Sequence, residues 1–171
     1  MENEKISHTC CCFGHRTINE TEELRTQLTN IIERLIRYEN VNTFLFGSKS
    51  RFDSLCLELV TEIKEKYPHI KRIYVRAEFP HIKDDYMAYL LTSYDDTYYP
   101  QKLLGSGRAA YVERNFEMID NSKYCIVYYD GSDTTHKSGT KTALSHATRK
   151  KREIFVFPQP TSIPDTDVGH K

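Results

Sequence analysis

Three short stretches set small residues beside hydroxyl or cationic side chains: Phe13-Gly14-His15-Arg16, Phe46-Gly47-Ser48 and Ser138-Gly139-Thr140. The first two directly follow apolar, strand-like runs over residues 8–12 and 42–45. The third lies downstream of a strand-like run over 124–129 and opens a helical pattern at Ala143, Leu144 and Ala147. A small-residue turn leading from strand into helix leaves backbone N–H groups unpaired at the positive end of the helix dipole. Such a turn holds a phosphate or another anion without a dedicated cation. Three junctions of this kind in one chain point to a nucleotide-type ligand.

Each candidate side chain has a bland reading beside the chemical one. Gly14, Gly47 and Gly139 serve either as tight turns or as points of close ligand approach. Ser138 and Thr140 either cap the helix or bind an oxyanion, and the two roles compete for the same geometry. Arg16 can pair with phosphate while His15 donates to phosphate or base; otherwise the two are a solvated loop pair. Ser48 stands in Ser48-Lys49-Ser50-Arg51, where side chains narrow the approach and add cationic groups. Asp53 can stabilise a helix dipole or accept from a ribose hydroxyl. Arg114 is a surface ion pair or a ligand contact, and Asn115 fixes a loop or reads a polar edge. Glu78 and Asp130, at strand ends, are the carboxylates left near the expected crevice. Tyr98, Tyr99, Tyr128 and Tyr129 could stack on a base, although alternation commits one of the last two to the sheet. No Ser–His–Asp order, paired metal carboxylates, phosphate loop of the Gly-Lys-Ser type or zinc spacing occurs, and no cofactor or metal is expected.

The elements that must position these groups are read from the apolar periods. Residues 8–13, 42–46, 71–79, 124–129 and 153–157 read as five strands. Leu24, Leu28, Ile31, Ile32, Leu35 and Ile36 recur at helical spacing, with Asn19 as N-cap and Glu22 completing a capping box. Phe52, Leu55, Cys56, Leu59, Val60 and Ile63 give a second helix that ends near Tyr67-Pro68. A short helix over 84–91 and helices over 109–120 and 140–151 follow. The rest of the tyrosine-rich stretch 80–108 reads as loop. Strands alternating with helices imply an α/β, Rossmann-like, doubly wound and mainly parallel five-stranded sheet with helices on both faces. Right-handed crossovers then gather the strand-to-helix turns on one edge. One domain over 1–157 and a mobile tail over 158–171 complete the division.

With 171 residues, 24 basic and 24 acidic, the chain is neutral overall, so no global charge steers it toward nucleic acid or an anionic membrane. Arg149-Lys150-Lys151-Arg152 is basic but falls at a helix C-terminus, where cations suit the dipole. No apolar run approaches the ~20 residues that span a bilayer, and no secretory apolar region follows the first residues. Five cysteines without a C-x-x-C pair fit reduced thiols in the cytoplasm. His8, Cys10 and Cys12 share one strand face, which reads as core packing before metal binding.

Five motifs in order carry a family resemblance. They are Gly14-His15-Arg16; Gly47 with Phe52-Asp53; Tyr67-Pro68-His69-Ile70; Arg114-Asn115 before Met118-Ile119-Asp120; and Ser138-Gly139-Thr140. Together they resemble the SLOG superfamily, the Rossmann-like group containing the LOG nucleotide phosphoribohydrolases and DprA, and in particular its YpsA-like branch. The resemblance spans about residues 10–157. It implies a nucleotide-derived ligand, self-association into a homo-oligomer, and links to nucleotide signalling that include bacterial and phage conflict systems. LOG enzymes carry a glutamate three residues after the threonine of the glycine turn, where this chain has Ala143. A methyl group cannot transfer a proton, which argues against LOG-type hydrolysis. The expectation is therefore a ligand sensor or sequestering protein. The alternative is a nucleotide N-glycoside hydrolase or ribosyl transferase using Glu78 or Asp130.

Overall fold

In the computed structural model, residues 2–131 and 139–160 are described. A short helix, α1 (Glu2–Ser7), precedes β1 (Thr9–Gly14), α2 (Glu22–Tyr38), β2 (Thr43–Phe46), α3 (Arg51–Lys64) and β3 (Lys71–Val75). Then come α4 (Asp84–Leu90), β4 (Asp96–Tyr98), α5 (Ala110–Asp120), β5 (Tyr124–Tyr128), α6 (Gly139–Arg149) and β6 (Glu153–Phe157). The six strands form one sheet in the order β4-β3-β2-β1-β5-β6, and every pairing is parallel. No helix among the described residues is long and apolar enough to cross a membrane.

The sheet thus has six strands rather than five. The extra one, β4, lies inside the stretch read as loop and is too short to show a period. It is placed by its flanks: Asp95 forms an ion pair with Arg72 at 2.9 Å, and the buried Thr97 hydroxyl donates to the Tyr74 carbonyl at 2.7 Å. β3 ends at Val75, short of the expected 79; the Arg76 N–H still donates to the Tyr98 carbonyl of β4, and its side chain then holds the turn at Phe79.

β1 sits at the centre, between β2 and β5, and is buried on both faces. Alternation sends Cys10 and Cys12 into the layer under α2 and α3, while Cys11 and Phe13 face the layer under α5 and α6. All five cysteines are free, and burial pushes the thiols of Cys10, Cys11 and Cys56 well above their usual range, which keeps them neutral. Among the described residues no three metal-ligating side chains are grouped to hold an ion.

Two pairs of helices on opposite faces follow from one rule. The chain winds outward from β1 to β4 and then returns to β5 on the other side of β1. Right-handed crossovers therefore put α2 and α3 on one face and α5 and α6 on the other. The reversal point lies between β1 and β5, where open α/β sheets leave a crevice.

Helix starts are chemically marked. α2 is capped by Thr21, not Asn19: the Thr21 hydroxyl accepts from the Leu24 N–H at 3.0 Å, and Glu22 and Glu23 face the dipole. The Asn19 N–H instead donates to the Tyr128 hydroxyl. α3 is capped by Ser50. The basic run after α6 serves the far end of α5. There Arg152 donates to the carbonyls of Ile119 and Asp120, while His146 meets Asp120 at 2.8 Å and stacks on Phe116.

Gly14 is a packing residue. A Cβ there would lie 2.7 Å from the Phe52 ring and 2.9 Å from the Tyr128 Cβ, neither of which can yield easily. Gly14→Ala should cost roughly 1–3 kcal/mol through overpacking. Thr21→Ala should cost about 1 kcal/mol through loss of the cap. Both values are read from urea unfolding, and an unchanged midpoint in Gly14→Ala would contradict the close approach of α3 to β1.

Candidate functional site

The carboxyl edge of the sheet gathers the predicted residues. Gly14, His15 and Arg16 leave β1, Gly47 and Ser48 leave β2, Glu78 follows β3, and Asp130 follows β5. Gly139 and Thr140 open α6, while Ser138 lies outside the described residues. The junctions share one edge, as wound topology requires. Their chemistry differs sharply from one another.

The β2 junction is closed from within. The Asp53 carboxylate accepts from the N–H groups of Gly47 (3.3 Å) and Ser48 (3.0 Å), and its other oxygen accepts from the Ser50 hydroxyl at 3.1 Å. Ser50 in turn accepts the Asp53 N–H. An internal carboxylate therefore occupies the amide cradle that the sequence offers to an anion. From the opposite face, Arg114 donates to the Gly47 carbonyl, and its Nε donates to the Asn115 side-chain oxygen at 2.9 Å. Arg114 is 4% exposed, so the surface-ion-pair reading is overturned: α5 drives the guanidinium inward over β2. A Cβ on Gly47 would meet the Arg114 Cδ at 2.5 Å and the Met118 sulfur at 2.6 Å, which is why glycine stands there.

Burial pushes the Asp53 carboxyl up to about 6, against the pull of the Ser48 and Gly47 N–H donors and the Arg114 charge. Burial likewise pushes the Arg114 guanidinium down, opposed first by Asp53.

The β1 and β5 ends meet through His15. Its Nε2 lies 3.3 Å from an Asp130 carboxylate oxygen and 3.4 Å from the Asp130 N–H nitrogen. Its ring packs at 5.4 Å from Tyr129 and edge-on to Tyr128 at 5.8 Å. Tyr128 itself is buried against Phe52, and Tyr98 is half-buried with its hydroxyl toward Glu117, so neither ring is offered to a ligand. Arg16 is exposed, and its guanidinium has no hydrogen bond or ion pair among the described residues. Among the described residues nothing lies within 4 Å of a Cβ added at Gly139.

Glu78 is exposed and accepts from the Tyr111 hydroxyl at 2.7 Å. Ala143 is 1% exposed and packs in the core between α6 and the sheet. A side chain there points into apolar packing. The sequence reading missed Arg76, which is 7% exposed and donates to the carbonyls of Phe79 and Pro80 and to the Thr97 hydroxyl. A lone arginine ending a strand carries no sequence signal of such a role.

Asp53 makes a pH signature. Its folded proton affinity exceeds that of an unfolded carboxyl near pH 4, so the folded state binds the proton more tightly. Its contribution is therefore fully present below about pH 4 and is lost as pH rises through about 6. Wild type should lose about 2 kcal/mol relative to Asp53→Asn between about pH 4 and about pH 6.5. Urea unfolding at stepped pH measures this, and a constant difference across that window would refute a buried, titrating Asp53.

No protein-family model matches the chain. An uncharacterized SPbeta prophage-derived protein, YoqJ of Bacillus subtilis (strain 168), is similar: 32% identical over a match that covers 73% of this chain and 80% of YoqJ. That identity over most of both lengths shows common descent, and the chain belongs to the same family as YoqJ.

Proposed function

We propose that the protein binds a nucleotide or nucleotide-derived small molecule at the carboxyl edge of its sheet, as a sensor or sequestering protein rather than a fast catalyst. The observation that carries this reading is His15 bridging the ends of β1 and β5 where the strand order reverses, beside the uncommitted guanidinium of Arg16. The anionic part of the ligand sits at Arg16 and the opening amides of α6, at Gly139 and Thr140. The Asn115 amide nitrogen, with no bond among the described residues, reads a polar edge. Gly47, Ser48, Asp53 and Arg114 shape the floor rather than touch the ligand, since their bonding groups are engaged with one another. Membership of the SLOG superfamily and its YpsA-like branch, action in phage–host nucleotide signalling, a cytoplasmic setting and a homo-oligomeric state belong to the same proposal. The prophage origin of YoqJ supports the phage connection.

One contact favours a second reading. The His15 imidazole holds the Asp130 carboxylate at the crevice edge, at 3.3 Å, where it could act as a general acid or base. A slow N-glycoside hydrolase or ribosyl transferase would use Asp130, with Glu78 in reserve. Chromatography after prolonged incubation with nucleoside monophosphates and NAD separates the readings. Base release that vanishes in Asp130→Asn selects the enzyme.

Thermal unfolding against a panel of nucleoside mono-, di- and triphosphates tests binding. A ligand at 100 times its Kd adds about 2.7 kcal/mol of stability. Arg16→Ala should weaken binding at least about tenfold, as expected for a lost charge-assisted bond to phosphate. Gly139→Val should fold normally, because no described residue lies within 4 Å of an added Cβ, yet bind poorly as its branches cover the α6 amides. A panel with no stabilising member, or unchanged affinity in both variants, would overturn this site.

A further inference from the structure

Next to the closed β2 junction the carboxyl edge carries a concavity of about 460 Å³, within the range of small-molecule sites. It is lined by Lys49 from the loop between β2 and α3, by Phe79, His81 and Lys83 from the segment between β3 and α4, and by Asp85 and Tyr86 from the first turn of α4. Its aromatic wall is unusual for a surface. Phe79 is 51% exposed, and its ring meets Tyr86 at 6.3 Å and 87°. Tyr86 is braced from behind by Tyr89, at 6.2 Å and 17°. Two rings at a right angle form a corner in which a planar group lies on one face and meets the edge of the other.

The cations at this corner are uncommitted. The ammonium groups of Lys49 and Lys83 have no hydrogen bond or ion pair among the described residues, as is also true of those of Lys5, Lys71 and Lys151 elsewhere on the surface. The corner is also rigidly founded. Arg76, buried on β3, spends its guanidinium on the carbonyls of Phe79 and Pro80 and on Thr97. These three acceptors offset the cost of burying the charge and tie the Phe79-Pro80 turn to β3 and β4. Finally, the Lys49 loop is tied to the β1 junction, because the Arg51 N–H donates to the Arg16 carbonyl at 3.0 Å. The corner and the Arg16 rim therefore flank one loop.

We infer that this corner is the base subsite of a nucleoside phosphate: the planar base stacks on Phe79 and Tyr86, and Lys49 and Lys83 draw the phosphate toward the Arg16 rim. The inference rests on the nucleotide reading above and adds to it the class of group recognised and the residues that recognise it. The chemistry selects a ligand with an aromatic ring and a negative charge together. A sugar phosphate satisfies only the lysines, and a nucleoside only the rings.

Isothermal titration of the full chain with AMP and GMP, adenosine, ribose 5-phosphate and a single-stranded oligonucleotide tests it. At least one monophosphate should bind at least about tenfold tighter than ribose 5-phosphate, as expected when stacking contributes. Phe79→Ala and Tyr86→Ala remove exposed or half-exposed rings outside the core. They should weaken the monophosphate about tenfold or more while leaving ribose 5-phosphate affinity and Tm unchanged. Lys49→Ala should weaken both phosphates and reduce their salt dependence. If the ring variants keep full affinity while Arg16→Ala loses it, the base subsite is wrong and the nucleotide reading stands. If neither monophosphate binds wild type, both fall. Equal loss of monophosphate and sugar phosphate in Phe79→Ala would overturn the base role. Tighter binding of the oligonucleotide than of either monophosphate would overturn a free nucleotide as the occupant.

Discussion

One glycine holds the two halves of this molecule together. The Gly47 N–H is taken by Asp53, reaching up from α3 on one face of the sheet. Its carbonyl is taken by Arg114, reaching down from α5 on the other. Two ionisable side chains of opposite sign are thereby buried at one strand end without touching, each satisfied by the backbone of the same residue and each in the field of the other. Removing either partner leaves a buried charge facing unpaired peptide groups, which costs far more than the pair contributes. No side chain fits at Gly47, so the clamp dictates the residue, and the glycine marks a structural need rather than a ligand's approach. The helical layers are fixed to each other at the edge where the candidate site lies.

Much of this architecture was legible in the sequence, because long elements repeat their signal. Six apolar positions of α2 and six of α3 bury as their period predicts. The central strands are read correctly because parallel strands buried on both faces are continuous apolar runs. What escaped was short or directional. β4 has three residues and owes its place to Arg72–Asp95 and Thr97, contacts formed by residues distant in sequence. The α2 cap moved from Asn19 to Thr21 because Asn19 gives its N–H to Tyr128, a bond that exists only once β5 is beside β1.

The candidate site divides along the same line. Sequence places residues at strand ends, and topology brings those ends together, so the predicted junctions share an edge. Sequence does not say whether a peptide N–H at that edge remains open. At β2 it is closed by Asp53, six residues after Gly47, a spacing equally suited to stabilising a helix dipole. At α6, Ala143 turns inward, so the helix that opens at the edge brings no carboxylate from that position. The aromatic corner escaped because it joins Phe79, in an irregular turn held by Arg76, to Tyr86 on the short helix α4, a contact that neither segment's period announces.

The internal carboxylate also organises the electrostatics of the edge. Burial raises the Asp53 proton affinity, and its carboxyl occupies the centre of the edge. A phosphate brought to the β2 junction finds the Gly47 and Ser48 N–H groups already taken by Asp53. Nearby cationic groups free of partners lie to either side: Arg16 toward β1, and Lys49 and Lys83 toward β3. Arg114, buried and turned to the Gly47 carbonyl, compensates Asp53 from below and has little field left for a ligand above. An anion approaching this edge is therefore displaced from the middle toward the flanking cations, and an aromatic group carried with it meets its only right-angled pair of exposed rings, among the described residues, on the β3 side. The same buried pair that locks the fold thus sets where charge can be received on its surface.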